Sequence, residues 1–119
     1  MLYHLCTAEE WEVAKEVGHH SPPSLAAEGF VHASTAAQVV PTANRYYRKH
    51  ERIVLLSIAE RAVSSALRWE PPSPETEETR GQLFPHIYAS LPREAILAAR
   101  VWERGPEGLF VWEDETEEA

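Results

Sequence analysis

Three histidines of this chain sit beside apolar or aromatic residues: His4 in Tyr3-His4-Leu5, His32 in Gly29-Phe30-Val31-His32-Ala33-Ser34-Thr35, and His86 in Phe84-Pro85-His86-Ile87-Tyr88. A neutral imidazole can hydrogen-bond a ribose hydroxyl, act as a base near pH 7 or coordinate a metal, depending on what its second nitrogen contacts. Each ring alone reads equally well as a structural residue satisfying buried backbone groups. Convergence on one concave site is the expectation that would give them chemistry. His32 and Ser34 are two apart, so on an extended segment both face one side of a sheet, which suits joint recognition of one ligand. Ser34 or Thr35 can also cap a following helix. Trp69 reads first as core or rim packing, and Trp69-Glu70 can also offer an aromatic that stacks on a flat ring beside a carboxylate that orients hydroxyls.

The rival chemistry is a metal hydrolase, with His4, His32 and His86 giving three nitrogens to zinc and leaving a position for water. No His-Glu-x-x-His or similar close spacing supports it, and no metal is expected. A third reading is a non-catalytic module whose histidines and aromatics only pack. Cys6 is the single cysteine, which excludes an internal disulfide framework; buried packing is expected of it rather than a nucleophile's role. His19-His20 reads as a loop pair. His50 belongs to a basic helix end with Arg45, Arg48, Lys49 and Arg52, where cations offset the macrodipole.

The elements that must position these groups are legible in outline. Leu2–Cys6 reads as a first strand, followed by a helix over residues 8 to 17 with Thr7 and Glu10 as a capping box and Gly18 as its stop. Ser24 caps a single turn to Glu28, Gly29 ends it, and Phe30-Val31-His32 extends as a strand. A turn over Ala36 to Gln38 is expected next, with Pro41 opening a separate helix that carries Ala43, Tyr46 and Tyr47 toward the core. Ile53 to Ile58 is nearly continuously apolar and reads as a central strand covered on both faces. Ala59 to Val63 is a turn or short helix, and Ala66 to Glu70 a strand. Pro71 to Gln82, rich in proline and glutamate with almost no apolar residue, is expected to be an exposed mobile loop that acts as a lid over the motifs it connects. Ile96 to Trp102 and Leu109 to Trp112 complete the strands, with Gly105-Pro106-Glu107-Gly108 as a hairpin turn.

At 119 residues one domain is expected, large enough for a core without disulfides or metals. It is assigned to residues 1–112, with an acidic tail at 113–119. The net charge of −8 is concentrated at the C-terminal end, leaving a nearly neutral body that argues against simple polyanion binding. No apolar run approaches the ~20 residues that span a bilayer, and no signal core is visible; a soluble cytoplasmic protein without membrane contact is the expectation.

The chain resembles the domain of unknown function 952 family through Tyr3-His4-Leu5, Trp11, Ser24-Leu25, Glu28 to Thr35, Gln38, Leu67-Arg68-Trp69-Glu70, Phe84 to Tyr88 and Leu91-Pro92. That family is distantly similar to ADP-ribosyltransferase-like proteins, including RNA 2'-phosphotransferases. The resemblance implies a single α+β domain with a bent or split, mainly antiparallel sheet and packed helices. It also implies a pocket for a small NAD- or ADP-ribose-type nucleotide, with His32, Glu70 and His86 as catalytic candidates and His4, Ser34, Thr35, Trp69 and Tyr88 as ligand-binding ones. NAD is the implied cofactor, and nucleic acid enters only as a substrate. His4 is followed by Leu5-Cys6-Thr7 rather than the His-Gly-Thr run of the phosphotransferases, their phosphate-binding arginines have no match, and the catalytic glutamate typical of many transferases has no secure counterpart, Glu70 being the available carboxylate beside Trp69.

Overall fold

A computed structural model describes residues 1–112; the acidic tail expected at 113–119 lies outside the described residues. The central strand is β4 (Arg52–Ile58), antiparallel to β1 (Leu2–Cys6) on one side and to β8 (Ile96–Glu103) on the other. Its alternation explains its composition: Val54, Leu56 and Ile58 join one buried cluster with Leu2, Cys6 and Trp11, while Ile53 and Leu55 join a second with Val39, Ala43 and Trp102. A strand covered on both faces has no polar side to show. The helix α1 (Ala8–Val17) closes the first cluster through Trp11 and Ala14, and α3 (Ala36–Tyr46) closes the second through Val39 and Ala43.

A second three-stranded sheet has the order β3-β6-β5, with β3 at Val31–His32, β5 at Leu67–Glu70 and β6 at Phe84–Ile87. It meets the first sheet at one point, where Tyr3 and Ser34 exchange two backbone hydrogen bonds of 2.8 Å. Beyond that point β1 and β3 part. The result is a divided antiparallel sheet in an α+β domain, with a seam between β1 and β3. A third pairing joins β2 (His19–His20) to β7 (Leu91–Pro92). Among the described residues no helix is long and apolar enough to cross a membrane.

Local chemistry accounts for the boundaries of α1. Glu10 N–H donates to Thr7 Oγ1 at 3.1 Å, Thr7 N–H donates to Glu10 Oε1 at 2.7 Å, and Gly18 takes φ 95° at the stop. The helix α2 (Pro23–Glu28) begins one residue before the expected Ser24 cap, with Pro22 as its N-cap; the Ser24 hydroxyl instead donates to the Phe30 carbonyl.

Three expectations are corrected. Residues 36 to 46 form one helix with Pro41 inside it, not a turn and a separate helix. Proline removes one N–H from the ladder, but Thr42 Oγ1 donates to the Gln38 carbonyl and Trp112 Nε1 to that of Ala36, supplying donors on either side of the gap. Tyr46 is half exposed rather than in the core. Leu109 to Trp112 is not a strand: Asn44 takes a strand's place, its Nδ2 donating to the Phe110 carbonyl at 2.9 Å and its Oδ1 accepting from the Phe110 N–H at 2.8 Å.

Candidate functional site

Where β1 and β3 diverge, a side chain continues the pairing that the backbone gives up. His4 Nδ1–H donates to the His32 carbonyl at 2.5 Å, so the His4 ring spans the seam. This bond fixes the neutral tautomer, leaving His4 Nε2 as an acceptor. His20 fills that role, with the two Nε2 atoms 3.0 Å apart. His20 is 3% exposed, so the pair expected as a loop is instead half buried, with His20 supporting β1. Burial, and then the neighbouring His20, push the His4 pKa down to about 3; burial also lowers that of His20. The sequence marks His20 with nothing except its place after a glycine helix stop.

A cavity of about 300 Å³ opens along the seam. Tyr3, His4 and Leu5 come to it from β1, and His32, Ala33 and Ser34 from β3 and its extension. Tyr46 and Tyr47 add aromatic surface from the end of α3, and Arg45 adds a guanidinium. Pro72, Ser73 and Thr79 complete the wall from the segment between β5 and β6. That segment has neither helix nor strand and is largely exposed, as its composition predicts. It does have an anchor that its composition conceals: Thr79 is 3% exposed and exchanges hydrogen bonds with Thr76, and Glu78 pairs with Arg45 at 2.8 Å.

Of the residues singled out in the sequence, His4, His32 and Ser34 meet in this cavity. Their functions divide further. His4 has both ring nitrogens occupied, so its role is to hold the wall. His32 has 40% of its side chain exposed and its Nε2 lies 2.9 Å from the Glu28 carboxylate. Ser34 is buried, with its backbone held by Tyr3.

His86, Glu70 and Tyr88 form a neighbouring group outside the cavity walls. His86 lies directly across the β3-β6 ladder from His32, with ring centroids 5.6 Å apart. Its Nδ1–H donates to Glu70 Oε1 at 2.8 Å, and the Tyr88 hydroxyl donates to the same oxygen at 2.6 Å. Those bonds, from Tyr88 and then His86, hold the Glu70 carboxyl below the usual range, and the bond to Glu70 raises the Tyr88 phenol. Phe30 stacks on His86 at 4.0 Å and also touches His32 and Tyr88. His86 Nε2 is buried and has no hydrogen-bond partner among the described residues.

Trp69 and Thr35 stand apart from both groups. Strand alternation turns Trp69 to the face opposite Glu70 and Arg68; it is 43% exposed and lines no described cavity. Thr35 is the N-cap of α3, with its N–H donating to Gln38 Oε1 at 3.0 Å. The histidine nitrogens proposed for zinc face the His32 carbonyl, His20, Glu28 and Glu70 instead, and no cluster of three or more His, Cys, Asp or Glu among the described residues is arranged to hold a metal ion. Cys6 is buried, and burial, reinforced by the Glu10 carboxylate, pushes its thiol up to about 12. It packs in the first core cluster.

The fold and site together define a small α+β domain with a divided antiparallel sheet and a cavity at its seam, braced by a histidine pair. The chain belongs to the family described as "Protein of unknown function (DUF952)", whose model matches residues 5–99. The fold is similar to the crystal structure of protein CC0527 from Caulobacter crescentus, with a TM-score of 0.81 at 25% identity over 92% of each chain. The solution NMR structure of CC0527 matches with a TM-score of 0.74 at 26% identity, over 91% of this chain and 89% of that one. No curated protein matches the chain.

Proposed function

We propose that the seam cavity binds a small nucleotide of the NAD or ADP-ribose type. The observation that carries this reading is the meeting of His32 and Ser34 with Tyr3, Tyr46 and Tyr47 around one cavity of about 300 Å³. Such a wall offers aromatic faces to a base and hydroxyl-binding groups to a ribose, the mostly apolar surface with few polar groups that small-ligand sites share. The volume is at the lower end of the common 300–1,000 Å³ range, so it suits one half of a dinucleotide. Arg45 offers a phosphate contact, because its guanidinium lines the cavity and its partner Glu78 is 76% exposed, so the carboxylate can turn to solvent when an anion takes its place. By the resemblance to the phosphotransferases, Leu5 of the cavity wall stands where their run has glycine, so close approach of a ribose to the backbone is not part of this reading.

In this reading His32 is the acid-base group, oriented by Glu28, and an ADP-ribosyl or related transfer is the reaction class. His86, Glu70, Tyr88 and Phe30 hold the neighbouring strand and the His32 ring from behind. A ligand-binding module without turnover is the second reading, favoured by one observation: the Glu70 carboxylate is engaged by His86 and Tyr88 outside the cavity. A thermal-shift series with NAD, ADP-ribose and other nucleotides tests the binding, since a ligand of the native state raises its midpoint by mass action. A rise with NAD or ADP-ribose supports the site; no shift at millimolar ligand overturns it. Release of free nicotinamide from NAD separates the two readings.

A further inference from the structure

Glu10 gives the cavity a polarity that the nucleotide reading alone does not supply. Its Oε1 is committed to the Thr7 N–H, yet the residue lines both the seam cavity and an adjoining groove of about 330 Å³ between α1 and β2. Carboxylates outnumber cations around it: His4 is held neutral by burial, His32 faces the Glu28 carboxylate, and the arginine of the wall, Arg45, faces the Glu78 carboxylate, which leaves Glu10 without a counter-charge. The field of Glu10 reaches the aromatic wall: burial pushes the Tyr47 phenol up to about 12, and the Glu10 carboxylate adds to that rise. The net field therefore favours positive charge, and the aromatic rings of Tyr3 and Tyr47 favour it too, since ring faces attract cations; the Tyr46 ring already has the Arg45 guanidinium 5.7 Å from its centroid.

We infer that the seam cavity selects a flat organic cation, held between the tyrosine wall and the Glu10 carboxylate. The inference deepens the nucleotide reading by assigning a cationic ring to the cavity and leaving the anionic portion of the ligand to Arg45. An oxidised pyridinium ring meets this requirement, whereas a neutral ring of the same shape meets only the stacking part of it.

The test is calorimetric titration of the full chain with 1-methylnicotinamide, a pyridinium cation methylated on the ring nitrogen, with nicotinamide, its neutral counterpart, and with ADP-ribose, which lacks the ring. Glu10→Gln is the informative variant, because its amide oxygen can still accept from the Thr7 N–H, and its thermal midpoint checks that the helix start is intact. In the wild type the cation is expected to bind about tenfold more tightly than nicotinamide, as a cation near an aromatic face and a carboxylate should. In Glu10→Gln that preference is expected to disappear at an unchanged midpoint. Equal binding of the two rings by the wild type, a preference that survives Glu10→Gln, or binding of neither ring overturns the inference. The two claims fail separately. ADP-ribose binding without a cation preference leaves the nucleotide site standing and removes the role of Glu10; a Glu10-dependent cation preference without ADP-ribose binding does the opposite.

Discussion

His20 donates from Nε2 to Nε2 of His4 across 3.0 Å, and His4 in turn donates from Nδ1 to the backbone of β3. A chain of two neutral rings thus connects β2, β1 and β3 at the place where the sheet divides. The connection requires an unprotonated His4. A proton on its Nε2 would face the N–H of His20.

Stability should therefore fall on acidification. The native His4 pKa is about 3 against an ordinary value near 6.5, so between those values the unfolded chain binds a proton that the native chain does not. Its contribution is complete above about pH 6.5 and is lost progressively as pH falls toward 3, at up to about 1.4 kcal/mol per pH unit. The lowered His20 adds in the same direction. Urea midpoints measured from pH 7.5 to 4 should show this slope, and His4→Asn, which retains a donor near the Nδ1 position, should flatten it. A wild-type midpoint independent of pH over this range would contradict the account.

Asn44→Ala should destabilise the fold by about 1–3 kcal/mol, because it strands both backbone groups of Phe110 in a buried setting. Hydrogen exchange at the Phe110 amide should accelerate in the variant more than exchange in β4. Equal acceleration at both places would mean that Asn44 does not secure the chain end locally.

How much of this was legible in the sequence depends on whether the signal was local. The capping box of Thr7 and Glu10 is a four-residue pattern, and α1 runs over the expected residues. The unbroken apolar run of β4 likewise declares a strand buried on both sides, and the α+β class follows. Pro41 misleads because local rules place proline at a helix start, while the donors that accommodate it inside α3 include Trp112 from far along the chain. Asn44 and Phe110 are separated by 66 positions, so no local pattern could reveal that a side-chain amide replaces the expected last strand. The shared placement of His32 and Ser34 on one cavity wall was readable from strand alternation. His20 and Glu10 were not, since one resembles a loop residue and the other was fully explained by its cap.

Cys6 should be inert in the native protein. With its thiol pushed up to about 12 and buried, almost no thiolate exists at neutral pH, and thiolate is the reactive form. A disulfide reagent at pH 7.5 should modify the native chain only at the rate of unfolding and label it at once in denaturant. Rapid native labelling would contradict this placement.

His32→Ala should weaken nucleotide binding more than folding. Its imidazole is partly exposed at the cavity, and under the proposed binding mode it would contribute a directed hydrogen bond to the ligand, of roughly 0.5 to 1.5 kcal/mol. Paired measurements of ADP-ribose affinity and urea midpoint, with the exposed Arg61→Ala as a control, should show a loss of affinity of about two- to tenfold beside a nearly constant midpoint. Constant affinity beside a large midpoint loss would make His32 a structural residue.

The central claim, that the seam of the divided sheet is the nucleotide site, is tested most directly by an NMR titration of the labelled chain with ADP-ribose, following backbone amides residue by residue. The account predicts saturable shifts at His32, Ser34, Thr42, Tyr46 and Thr79, with Trp69 and Arg61 unmoved. Shifts gathered at Arg68, Trp69 and Tyr88 instead, or none at millimolar ligand, would contradict it.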